Sequence, residues 1–317
     1  MWTRRIDNTH REGLDRLKEV LVLQFSFFAM MVLGYALRRR GLVTRTGQRE
    51  ITDLIVALIL PCNIITSFLT DMGEGILRDG LHVLLISLGI QLAMLFYGKL
   101  FFFREREDRL RSIRYAFICS NAGFLGNPVA EGVFGPEGLM LASIYLIPQR
   151  IMMWSEGLAI FSGEADWRST LKKLATHPCV IACGVGLVLM VTRLPVPALI
   201  LTPIRYIGRC NTALVMLMMG MTMAGADLRS LWDASILRFC LHRLVVIPLV
   251  LYGILCLLPV SRLVRGLSVL LAAMPAGATT SILASKYARD PEFAAKLVTV
   301  STVFSVPALA VWSMVLR

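Results

Sequence analysis

Apolar residues in this chain come in blocks separated by short polar, arginine-rich stretches. The strongest blocks are Val20–Leu37, Ile51–Leu69, Leu81–Phe103, Leu139–Phe161, Ile236–Leu258 and Phe293–Leu316. Each approaches the ~17–25 residues that a helix needs to cross a bilayer. Weaker blocks lie at Ser112–Phe134, His177–Thr192, Ile207–Ala224 and Leu263–Ala284. The pattern predicts an all-α integral membrane protein with about ten transmembrane helices. A polar segment over residues 163–176 reads as a cytoplasmic linker. It divides the chain into a first five-helix repeat, 20–162, and a second, 177–317, with an N-terminal arm over 1–19. Five is odd, so the second half enters the membrane upside down relative to the first. That is the inverted repeat common in secondary transporters.

Composition agrees. Of 317 residues, 56% are hydrophobic and 17% charged, where a soluble domain carries roughly 25% charge. The net charge of +12 does not imply a nucleic-acid partner: there is no basic stripe with interleaved aromatics, and basic residues collect in cytoplasmic loops of membrane proteins. One side of the membrane receives Arg38, Arg39, Arg40, Arg45, Arg49, Arg104, Arg106, Arg109, Arg111, Arg114, Arg168, Lys172, Lys173, Arg229, Arg238, Lys286, Arg289 and Lys296. The other receives Arg78, Arg193, Arg205, Arg209, Arg262 and Arg265. The richer side is predicted to be cytoplasmic, in the plasma membrane, with both termini outside. The arm's Arg4, Arg5, Arg11, Arg16 and Lys18 run against that orientation and are outvoted. No cleavable signal peptide is read, because the first block runs into Arg38–Arg40 without a small-residue cleavage site. The seven cysteines lie in or beside apolar blocks and behave as small hydrophobes. His177, Cys179 and Cys183 lack a fourth ligand, so neither metal nor cofactor is expected. No Ser/His/Asp constellation at span depth suggests an enzyme.

Within the fourth block, "SNAGFLGNPV" (120–129) carries two asparagines, two glycines and a proline. Pro128 has no N–H and its ring clashes with the carbonyl at Phe124. Gly123 and Gly126 release the backbone from helical angles. The combination predicts about one unwound turn over 121–128. Backbone exposed at that depth is tolerated only if it lines a cavity or finds partners. Asn121 and Asn127 supply donors and acceptors, and a half-helix starting near Pro128 would turn its positive end toward an anion. In the ninth block "AAMPAGATTS" repeats the signal with Pro275, Gly277, Thr279 and Thr280. Two such breaks, crossing at the midplane, define a substrate site in inverted-repeat carriers. The second and seventh spans each hold an asparagine, Asn63 and Asn211.

Arg150 is the midpoint of its block. A central arginine costs at least ~2.5 kcal/mol, so it should face the interior with a partner. An anion is one reading; a fixed ion pair with Glu131 or Glu156 is the other. Gln149 also seeks partners and shares a helix face with Glu156, a candidate protonation site. Lys99 and Arg243 are expected to snorkel from span ends.

"ICSNAGFLGNPVAEGVFG" resembles the fourth-helix motif of the auxin efflux carrier family. "LPCNIITSF", "YLIPQRIMMW", "HPCVIACGVGLVL", "MLMMGMTMAG" and "AAMPAGATTSILASKYARDPEFAAKLVTVSTVF" follow in family order. The resemblance runs from about Val20 to the C-terminus. It implies two inverted five-helix repeats, with a scaffold part and a mobile part that moves like an elevator. It also implies a crossover of the fourth and ninth helices at Pro128 and Pro275. In plant members a crossover asparagine, matched by Asn121, contacts the substrate carboxylate; a fifth-helix glutamine matches Gln149 and a second-helix proline matches Pro61. Ser120 stands where the plant motif has proline, and Cys179 where it has asparagine, so the resemblance specifies a family and not a substrate.

The resulting expectation is a carrier of a small organic anion embedded in the lipid bilayer. Asn121, Asn127 and the crossover amides would hold a carboxylate, aided by Gln149 and Arg150. Proton coupling or exchange, and a homodimeric assembly, are left open. One rival is a sodium-coupled symporter of the bile-acid type: Asn63, Asn211, Thr212 and Thr280 offer oxygens, but no acidic residue clusters with them in the sequence. The other is a non-transporting sensor, which would be expected to bring a soluble signalling domain.

Overall fold

The computed structural model describes residues 22, 25–69, 75–162, 168, 172, 175–224 and 233–316. The arm over 1–19 and most of the linker over 163–176 lie outside them. All regular structure among the described residues is helical: α1 (25–39), α2 (Arg45–Phe68), α3 (Ile76–Phe101), α4 (Glu107–Ile118), α5 (Asn127–Trp154), α6 (Glu156–Ser162), α7 (Pro178–Thr192), α8 (Ala198–Ala224), α9 (Ala234–Leu257), α10 (Arg262–Ala272), α11 (Thr279–Lys286) and α12 (Pro291–Leu316). Among these, α2, α3, α8, α9 and α12 are long and apolar enough to cross a membrane unbroken.

Polar residues between the blocks start the helices. Thr44 Oγ1 accepts from the Gly47 amide at 3.1 Å at the head of α2. Asp233 accepts from Ser235 and Ile236 ahead of α9, and Ser261 accepts from Val264 ahead of α10. Each satisfies amides that a first turn leaves without a partner. Gly135, at φ +70° and ψ −164°, breaks α5 into two helices. A Cβ on Gly138 would lie 2.6 Å from the Ala130 carbonyl, eight residues back. In a straight helix those residues are about 12 Å apart, so the chain folds back at Gly135.

Three π turns share one cause. They span Ile55–Ile59 in α2, Ala122–Gly126 ahead of α5, and His242–Val246 in α9. Each ends two residues before a proline: Pro61, Pro128 and Pro248. The carbonyl that would accept from the missing proline N–H belongs to the central residue of each turn. Bonding shifts by one residue instead, as in Leu60 to Ile55 and Ile247 to His242. A π turn thus absorbs the proline without ending the helix. In α9 the released Leu244 carbonyl accepts the Trp312 indole N–H at 2.8 Å, the kind of rescue a bilayer demands.

The helices pack as two groups. In one, α2 lies against α7 and α8, and α1 joins through reciprocal glycines. A Cβ on Gly34 would collide with the Leu217 carbonyl, and one on Gly220 with the Met31 carbonyl. Small residues let membrane helices approach this closely. In the other group α3, α4, α5, α9, α10, α11 and α12 pack mutually. The groups meet where α2 and α7 touch α5 and α8 touches α12.

Candidate functional site

The two interruptions lie earlier than the glycines and prolines predict. The first falls at Cys119–Asn121, between α4 and the π turn, so Gly123, Gly126, Asn127 and Pro128 are already helical. The π turn accommodates Pro128, and the expected unwinding over 121–128 is corrected accordingly. The second occupies residues 273–278, and Thr279 and Thr280 open α11.

The interruptions bind each other. Ser120 and Ala276 form an isolated antiparallel bridge. The Asn121 amide donates to the Pro275 carbonyl at 2.8 Å, and the Gly277 amide donates to the Cys119 carbonyl at 2.9 Å. Glycine is needed at 277, because a Cβ there would stand 2.8 Å from the Cys119 carbonyl. Neighbouring side chains take the other groups. Gln149 Nε2 donates to the Ser120 carbonyl at 2.7 Å, and Ser120 Oγ donates to Gln149 Oε1 at 3.3 Å. The Ala276 amide donates to Ser301 Oγ at 3.2 Å.

Arg243 corrects the snorkelling expectation. It is 3% exposed and donates to the Met274 carbonyl from Nε at 2.9 Å and to the Phe117 carbonyl from Nη1 at 3.1 Å. Those carbonyls stand at the C-terminal ends of α4 and α10, where helix dipoles concentrate negative charge. One buried guanidinium therefore serves two helix ends. The chain then leaves the crossing through two helix N-termini, at Ala122 and Thr279, whose first-turn amides have no intrahelical partners, with the Thr280 amide already donating to the Gly277 carbonyl at 3.0 Å.

A cavity of about 920 Å³ opens over those N-termini. Asn121, Gly123, Gln149, Arg150, Gly277 and Thr279 line it, together with Cys119 and Ser120. Met218, Met219 and Met221 form an adaptable apolar wall. Arg38, Arg45, Arg49 and Asp53 stand along it, with His177. Arg150 is 6% exposed and its Nη1 has no hydrogen-bond partner among the described residues. Neither Glu131 nor Glu156 pairs with it: Glu131 is held by other groups, and Glu156 is exposed beyond a non-helical Ser155. Asn121 Nδ2 reaches only Met219 Sδ, at 3.8 Å, and so remains available to a ligand.

Other predicted site residues stand apart. Gly126, Asn127, Pro128, Pro275, Pro61, Asn63 and Asn211 do not line this cavity. Pro275 supplies the bridging carbonyl, and Gly126 permits close contact, since a Cβ there would meet Leu271 Cδ2 at 2.9 Å. Asn63 and Thr212 donate to Glu131 Oε2 at 3.0 and 3.5 Å, which supplies the acidic residue that sequence spacing did not reveal. Sequence reasoning also missed Arg243. Its signal was available: like Arg150, it is a basic residue well inside an apolar block, Ile236–Leu258.

Comparison with known proteins places the chain in a family. A family model described as membrane transport protein matches residues 20–168 and again residues 166–313. An uncharacterized transporter of Methanocaldococcus jannaschii is 24% identical over 302 residues, covering 90% of this chain and 96% of that one. Another uncharacterized transporter, from Methanothermobacter thermautotrophicus, is 27% identical over 299 residues, covering 92% and 96%. With matches of this extent and a set of apolar helices of membrane-crossing length, the chain is a multi-pass membrane protein and belongs to the membrane transport protein family, that of the auxin efflux carriers.

Proposed function

We propose that the protein is a secondary transporter that moves a small organic anion across the plasma membrane by alternating access. One observation carries the reading: Arg150, a buried guanidinium with an unpartnered Nη1, faces a cavity on which two helix N-termini also converge. An unpaired buried cation is costly, and an anion in the cavity would supply the missing partner. Gln149 keeps the crossing in shape while Asn121 Nδ2 and the first-turn amides receive a carboxylate.

The twelve helices read as ten spans, with the fourth made of α4 and the start of α5, and the ninth of α10 and α11. The group of α1, α2, α7 and α8 then serves as scaffold, and the remaining helices as the moving part. Arg38, Arg45 and Arg49 belong to the cytoplasmic side by the charge rule, so the cavity corresponds to an inward-facing state, and its basic border draws anions inward.

The test is a thermal-shift screen of mono- and dicarboxylates on purified protein, followed by flux into proteoliposomes of the best stabiliser. Saturable flux that Asn121→Ala abolishes supports the reading. Flux absent for every stabilising acid, or unchanged in Asn121→Ala, sinks it.

A further inference from the structure

The cluster around Glu131 lies outside the anion cavity. Glu131 is on α5, one turn after Asn127 and on the same face. Its Oε2 accepts from Asn63 Nδ2 of α2 and from Thr212 Oγ1 of α8. The face of α8 here is pressed onto α2: a Cβ on Gly208 would stand 3.0 Å from the Asn63 Cα, and Asn211 follows Gly208 by three residues. Among the described residues no basic side chain lies within ion-pair distance of Glu131. A largely buried carboxylate with only neutral partners, inside a bilayer, is strongly unfavourable until a positive charge joins it.

Two further observations indicate which charge. Asn127 and Asn211 are fully buried, and neither the oxygen nor the nitrogen of either carboxamide has a hydrogen-bond partner among the described residues. Of the two carboxamide oxygens, a proton on Glu131 could serve at most one, since a neutral carboxyl has a single O–H to donate, and would leave the other of them unpaired at about 1–3 kcal/mol. A metal cation would use both. The donors are one carboxylate, a hydroxyl and carboxamides, all hard oxygens with one negative charge in total. That suits a monovalent ion; calcium is held by more carboxylate, and no group of His, Cys, Asp and Glu suited to a transition metal occurs among the described residues.

We propose that Glu131, Asn127, Asn63, Asn211 and Thr212 form a sodium site at the seam between the two helix groups. Resting on the carrier reading, its role follows from its construction. Asn63, Asn211 and Thr212 belong to one group, while Asn127 and Glu131 belong to the other. An ion bound there ties the groups together, so its entry and exit are linked to their relative movement.

The experiment is thermal unfolding of the purified full-length protein in sodium chloride, potassium chloride or choline chloride at one ionic strength, repeated at an acidic and a neutral pH. No organic anion is required, so its outcome is independent of whether the protein carries one. Wild type should show a saturable stabilisation specific to sodium. Glu131→Gln should abolish it, and Asn127→Ala and Asn211→Ala should weaken apparent affinity about tenfold or more, a loss that even outer-shell partners of a metal can produce. Arg150→Met, in the anion cavity, should retain it. If Glu131→Gln does not fold, the two asparagine variants decide. No sodium-specific shift in wild type, or a shift that survives Glu131→Gln or both asparagine variants, overturns the proposal. So does stabilisation that depends on Glu131 and pH but not on sodium, which would assign a proton instead.

Discussion

The amide of Asn121 donates to the carbonyl of Pro275 across 2.8 Å. Residues 154 positions apart thereby complete each other's hydrogen bonding where both helices are interrupted, and irregular backbone within a membrane protein is tolerated only where it finds such partners or lines a cavity. This explains how two membrane helices can be interrupted without a large cost in unpaired backbone. Each break supplies donors and acceptors that the other lacks, and Gln149, Ser301 and Arg243 take what remains.

The crossing depends on close backbone approach at Gly277. A methyl group there would lie 2.8 Å from the Cys119 carbonyl, which is main chain and has no rotamer by which to retreat. Gly277→Ala should destabilise the protein by about 1–3 kcal/mol, the usual cost of overpacking. Gly253 provides the control: a Cβ there meets nothing within 4 Å, and Gly253→Ala in mid-helix should be neutral or stabilising by up to about 1 kcal/mol. Thermal unfolding of both variants in one detergent checks the contrast.

Arg243→Met should lower the melting temperature more than Arg243→Lys. Methionine fills similar volume but leaves the Phe117 and Met274 carbonyls without the guanidinium donors, at about 1–3 kcal/mol for each buried acceptor left unpaired. Lysine restores charge near the two helix ends but cannot reproduce the planar fork that reaches both. Equal melting temperatures for the two variants would show that charge at this position contributes nothing without the guanidinium fork.

Most of the fold was legible because crossing a bilayer leaves a coarse and redundant signal. The blocks at Leu81–Phe103 and Phe293–Leu316 became α3 and α12 within a few residues of their predicted ends. The two interruptions were legible as regions but not to the residue. Pro128 and Gly126 announced trouble, yet a π turn absorbed it, and the true break fell at Cys119–Asn121, whose residues disfavour a helix far more weakly than proline or glycine. Arg150 and Asn121 were legible because a polar group amid apolar residues is costly. Glu131 was visible as an acid, but its meeting with Asn63 and Thr212 is a contact between three distant helices. Periodicity along one helix carries no information on that.

The α1–α8 contact is set by Gly34 and Gly220, each pressed on the opposite helix backbone near Leu217 and Met31. Gly220→Leu should force the helices apart by several ångströms and lower the yield of monodisperse protein on size exclusion. Gly184→Leu on α7 is the matched control, since a Cβ at Gly184 has nothing within 4 Å. Comparable loss in both variants would mean that bulk in any span, not this interface, is limiting.

Arg150 and Gln149 are adjacent, yet their removal should act in opposite directions on the ligand-free protein. Gln149 makes two hydrogen bonds to Ser120, so Gln149→Ala should lower the melting temperature, with about 1–3 kcal/mol lost for the unpaired Ser120 carbonyl. Arg150 carries an unpartnered Nη1, and a guanidinium in a span costs at least about 2.5 kcal/mol to insert. Arg150→Met should leave the ligand-free melting temperature unchanged or raise it. The same variant should lose the stabilisation that a carboxylate confers on wild type, which at a hundredfold excess over Kd amounts to about 2.7 kcal/mol. Thermal unfolding with and without the best carboxylate separates the roles. If Arg150→Met instead melts far below wild type while still responding to the anion, Arg150 is a structural residue, and the cavity binds its ligand by amides and Asn121 alone.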